Sequence, residues 1–184
     1  MSNILEKDWI TKAGLRAVVL VCVYDGRKSH RCGYVGLPVG HKLWGIEYNQ
    51  EIPDVPQELA NKQTLGDKSP LLMLTAGVID GEAGDRIRRS PDILFECHGG
   101  LTYSACNTVH KEKMTEYPVA GTEWWFGFDC HHCDDASIEP HPVYEFNERG
   151  KVWQQEEVEQ QCESLATQIV ALFSTSTSAG TLPA

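Results

Sequence analysis

The run Leu15 to Tyr24, LRAVVLVCVY, the pair Asp25-Gly26, and the run Arg31 to Leu37, RCGYVGL, decide the fold class. Val and Leu dominate the first run, Asp-Gly is a strong turn pair, and the second run resumes with Cys, Tyr and Val, which together predict an antiparallel β-hairpin. Working outward, Ile93 to Cys97 and Glu123 to Cys130 are expected as further central strands because aromatic and β-branched residues dominate them. Near the C-terminus, Val158, Cys162, Leu165, Ile169 and Leu172 recur at three- and four-residue steps, the spacing of one helical face. The expected fold is therefore α+β, a mainly antiparallel sheet with a C-terminal amphipathic helix packed on one face.

The chain has 184 residues, 41% of them apolar, enough for one well-filled core and too few to argue for two. A single globular domain over 1–173 is expected. Within it, Pro38 to Tyr48 reads as a compact loop or single helical turn. Residues 49–90 form an irregular connection broken by Pro53, Pro56 and Pro70, and 174–184 is a low-complexity tail expected to be disordered. The longest apolar run near the N-terminus, Ala17 to Tyr24, is far shorter than the roughly 20 residues of a membrane span, so neither leader, anchor nor membrane partner is expected.

Net charge is −10, with 26 acidic against 16 basic residues. With no basic stripe to displace counterions, direct nucleic-acid binding is disfavoured. The cysteines number seven, an odd count, and several lie in strand-like apolar runs, which favours reduced thiols and a cytoplasmic setting.

Two short blocks concentrate the polar chemistry. The first, His98 to Ser104, delivers an imidazole beside Gly99 and Gly100, where a ligand can approach the backbone, and then Thr102, Tyr103 and Ser104 as hydroxyls. The second, Trp124 to Asp135, passes from an aromatic strand into a run of ligand-type residues. Strand alternation puts Trp125, Gly127 and Asp129 on one face and Trp124, Phe126, Phe128 and Cys130 on the other. If the blocks converge, His98, Asp129, His132 and Asp135 supply proton-transfer groups and a carboxylate to fix an imidazole tautomer. His98, Gly99, Gly100, Thr102, Tyr103, Ser104 and Trp124 are then the expected ligand contacts. The spacing Cys130-x-x-Cys133 with His132 makes zinc a candidate cofactor there, although a structural tetrahedral site would need further ligands. A redox role for the cysteine pair lacks the strand-helix context that lowers a thiol pKa. The spacings of a nucleophile elbow, a P-loop and a dinucleotide fingerprint do not occur.

These motifs, with Cys32-Gly33-Tyr34-Val35-Gly36, Gly40-His41 and the helix Val158 to Ile169, resemble an uncharacterised family of small phage and bacterial proteins. The likeness touches most of the chain except 49–90 and the tail. In that family the second block commonly reads GFDCAHAGD, matched here at Gly127, Phe128, Asp129, Cys130, His132 and Asp135 and not at His131, Cys133 or Asp134. Because Cys133 is a departure, the resemblance favours the His98, Asp129, His132 and Asp135 site over a zinc site. It implies a phage-type accessory protein in the host cytoplasm and brings no reaction with it. Three functions follow as expectations: sequestration of a small nucleotide-like ligand, such as a host defence signal; hydrolysis through the His and Asp residues, with or without a metal; or an acidic protein-protein interaction module.

Overall fold

In the computed structural model, residues 2–53, 89–106, 123–140 and 150–174 are described. Strands β1 (Ser2–Ile10), β2 (Arg16–Tyr24) and β3 (Arg27–Leu37) precede the short helix α1 (Pro91–Leu94). Strands β4 (Tyr103–Cys106) and β5 (Trp124–Asp129) follow, and helix α2 (Gln155–Ser174) closes the order. The strands form one antiparallel sheet in the order β1-β2-β3-β5-β4, and α2 packs against it, the α+β arrangement expected from the sequence.

The opening hairpin forms as its turn pair dictates. Asp25 and Gly26 have φ of 49° and 75°, the two positive values of a turn whose twist matches that of its strands. Past the turn the register breaks. Val23 faces Lys28 but Val21 faces Arg31, so β3 sets two residues, Ser29 and His30, against Cys22 alone. This bulge shifts every later pair by one residue.

β2 is buried from Ala17 to Val23, so its side chains are withdrawn from solvent on both faces of the sheet. One face carries Val19, Val35, Phe126 and Phe128 beneath Val158, Cys162, Leu165 and Ile169 of α2. The other carries Val18, Leu20, Cys22, Cys32, Tyr34 and Trp125. Two adjacent cross-strand pairs set an aromatic ring over a glycine, on opposite faces. A Cβ on Gly33 would lie 2.4 Å from Phe128, and one on Gly127 would lie 2.4 Å from Tyr34.

Two elements differ from expectation. Residues 2–10 form an edge strand where the sequence reads as a mixed segment, because most of β1 is solvent-facing and carries Glu6, Lys7 and Asp8 in place of apolar alternation. α2 holds it down: Trp9 Nε1 and the Lys12 N–H both donate to Glu163, and Lys7 pairs with Glu159. The expected strand over Ile93 to Cys97 is a correction, since its first part is the end of α1. Pro91, whose fixed φ suits the first helical turn, starts a helix that ends at Leu94, and Leu94 and Phe95 bury into the core. The ends of the expected irregular connection are tied together by Ile52 N–H to Arg89 C=O at 3.0 Å. Its residues 54–88 and the tail 175–184 lie outside the described residues, and Ser174 is the last residue of α2.

Candidate functional site

The two polar blocks meet where β5 ends, and the joint between them is Asp135. Its carboxylate, 3% exposed, accepts three hydrogen bonds: His98 Nε2 at 2.7 Å, the His132 N–H at 2.8 Å and Trp153 Nε1 at 2.8 Å. Burial pushes this carboxyl up, but the His132 amide, the His98 imidazole and the Trp153 indole together outweigh it and hold it below the usual carboxylate range.

Each partner is delivered by local structure. The turn after Cys130 closes through Asp135 N–H to His132 C=O, and a parallel bridge between Asp135 and Lys151 carries the chain on to Trp153. Two glutamines of α2 hold the first block: Gln168 exchanges two hydrogen bonds with the Glu96 backbone, and Gln161 accepts from the His98 N–H at 3.1 Å. The rings of His98 and Trp153 then lie 4.2 Å apart. A proton on Nε2 directed at Asp135 leaves Nδ1 as the acceptor nitrogen in the neutral form of His98.

His132 completes the cluster, its ring 5.1 Å from that of His98. Its Nε2 is buried without a hydrogen-bond partner among the described residues, 3.8 Å from Asp129 Oδ1. A Cβ on Gly99 would sit 1.6 Å from this nitrogen, and Gly99 has φ of 68°, so ring position and backbone both demand glycine. Asp129 accepts from Thr102 Oγ1 at 3.2 Å and from the His131 N–H at 3.1 Å. The expected quartet of His98, Asp129, His132 and Asp135 is thus brought together.

The expected ligand contacts divide between places. His98 lines a cavity of about 350 Å³ with Cys97, Trp153, Gln161 and Ser164. Thr102 and Tyr103 line a second, of about 340 Å³, with Asp129, Tyr34, Cys22, His30 and Cys32. Gly100 lies in the turn that Gly100 N–H to Cys97 C=O closes. Ser104 instead anchors the loop after β3, donating to Glu47 at 2.5 Å and accepting from the Tyr48 N–H. Trp124 is a core residue whose Nε1 donates to the Ile46 carbonyl.

The expected zinc trio does not assemble. Cys130 is 2% exposed in the core beneath α2, its thiol pushed up by burial, while Cys133 is exposed to solvent. Among the described residues, three metal-ligating side chains gather instead at Cys22, His30 and Cys32, all buried, with ligand atoms within 4.8 Å of one another. The Cys22 thiol, and then burial, push Cys32 well above the usual thiol range. Sequence reading missed this trio because it depends on the bulge. A hairpin in the register of its turn would set Cys32 opposite Val19, on the face away from Cys22. The extra residue at Ser29-His30 moves Cys32 opposite Leu20, onto the face of Cys22. Trp153 was also missed, since only the bridge to Asp135 brings it to the site. Compared with family models, curated proteins and solved structures, the chain matches none.

Proposed function

We propose that the protein binds and sequesters a small nucleotide-like ligand, with His98 facing the ligand and Asp135 fixing His98. The observation that carries this reading is a histidine oriented by a triply bonded, buried carboxylate at the wall of a cavity of about 350 Å³. The cleft is largely open to solvent, and its volume lies at the low end of the range of small-molecule sites, roughly 300 to 1,000 Å³. Gln161 and Ser164 add hydrogen-bonding groups that suit base edges and sugar hydroxyls. Among the described residues, the charged side chain of the lining is Glu96, and Lys151 Nζ lies 3.9 Å over the ring of the lining residue Trp153. We read the resemblance of these motifs to small phage and bacterial proteins as pointing to a host signal as the ligand.

The same pair supports a second reading. A carboxylate holding one imidazole nitrogen, with the other free to accept a proton, is the arrangement of a general base, so hydrolysis of the bound ligand is the alternative. Native mass spectrometry of the full chain, before and after denaturation, followed by calorimetry with a panel of nucleosides and nucleotides, tests both. Sequestration predicts an intact ligand mass that persists with time and is lost in His98→Ala. Conversion to a lighter product assigns hydrolysis. A wild-type protein that carries no ligand and gives no heat with any of the panel sinks both readings and leaves the acidic surface as a protein-binding module.

A further inference from the structure

The most specific chemistry outside the His98–Asp135 pair is on the opposite face of the sheet. Cys22 leaves β2, and His30 and Cys32, two residues apart on β3, leave the same face beside it. The Cys22 and Cys32 sulfurs are 3.5 Å apart. A tetrahedral zinc ion with sulfur bonds of about 2.3 Å holds its two thiolates roughly 3.8 Å apart, so the pair needs only a few tenths of an ångström to adopt that edge. A disulfide bond, about 2.0 Å long, would require a closure several times larger.

The imidazole is as well placed. His30 is 8% exposed, its Nδ1 is 2.9 Å from Ser29 Oγ, and its ring stacks on that of His131 at 4.7 Å and 16°. A hydroxyl on one ring nitrogen and a planar neighbour fix the orientation of the ring, as outer partners commonly do for a metal-bound histidine. Two sulfurs and one nitrogen select borderline and soft ions over magnesium or calcium.

We propose that Cys22, His30 and Cys32 form a three-ligand zinc site whose fourth coordination position opens onto the cavity lined by Tyr34, Thr102, Tyr103 and Asp129. Three protein ligands and one open position distinguish sites that engage a water or ligand donor atom from closed structural sites. Thr102 and Asp129, already joined at 3.2 Å, and the Tyr103 side chain are the polar groups such a ligand would meet.

The test is metal analysis of the full-length, reduced protein, paired with cobalt substitution. The wild type is expected to retain about one zinc per chain and, with cobalt, to show thiolate-to-metal charge-transfer absorption and the intense visible bands of a tetrahedral ion. Cys22→Ser with Cys32→Ser should abolish the charge-transfer band, and His30→Ala should weaken binding. Cys133→Ala should leave metal content unchanged. Circular dichroism shows whether each variant is folded, and the cobalt spectrum of the wild type stands independently of them. Wild type without zinc and without a charge-transfer band overturns the site. So does zinc that survives the double substitution or is lost in Cys133→Ala, and so does a Cys22–Cys32 disulfide that forms in the presence of excess zinc.

Discussion

At the scale of single residues, Asp135 joins stability to the site. Its carboxylate satisfies a backbone amide, an indole and an imidazole at once, and removing it leaves donors in a largely dry environment. Asp135→Asn should cost about 2–3 kcal/mol at neutral pH, in line with the price of unsatisfied buried donors. Because the folded pKa lies below the ordinary value of 3.8, the ionised group contributes stability above that value and loses it as pH falls through the folded pKa. The stability gap between wild type and Asp135→Asn should therefore narrow below about pH 4. Urea unfolding at pH 7 and pH 3 checks this, and a gap that stays constant would refute the ionised, triply bonded carboxylate.

Among the elements, the pairing of β3 with β5 carries the most geometric demand. Gly127 makes room for the Tyr34 ring on one face and Gly33 for the Phe128 ring on the other, so the two glycines set how closely side chains approach in the middle of the sheet. Gly127→Ala should destabilise by about 1–3 kcal/mol, the usual cost of overpacking. Since Tyr34 lines the second cavity, it should also weaken cobalt binding. Gly33→Ala should cost more, because the new methyl also meets Cys162 Sγ of α2 at 2.8 Å. Denaturant midpoints of both variants measure the order, and equal, negligible shifts would contradict the close packing. The strands were legible where burial on both faces makes a continuous apolar run, as in β2 and β5. β1 was not, because an edge strand that faces solvent has no such run, and α1 was not, because four residues give no helical period.

For the whole molecule, the zinc site proposed on the second face of the sheet would link metal to stability. A ligand that binds only the folded state stabilises it in proportion to the logarithm of its concentration over Kd, by about 2.7 kcal/mol at a hundredfold excess. Zinc should accordingly raise the Tm of the full chain and a chelator should lower it, and neither should move the Tm of the Cys22→Ser, Cys32→Ser variant. A zinc-dependent shift of equal size in that variant would place the ion elsewhere. No helix among the described residues is long and apolar enough to cross a membrane, and the charge of −10 gives the surface an acidic field.

The α+β class, the opening hairpin, the alternation of β5 and the apolar face of α2 were determined by sequence alone, because period and turn chemistry are local. The two polar blocks were legible for the same reason: each is a contiguous run at the end of an element. What only the tertiary structure decided is which groups touch. The Asp135 triple contact requires Trp153, eighteen residues on, to return through the bridge to Lys151. The cysteine-histidine trio requires a one-residue bulge opposite Cys22. A bulge leaves composition and spacing unchanged while exchanging the faces of every residue beyond it, so no local pattern in the chain could announce it.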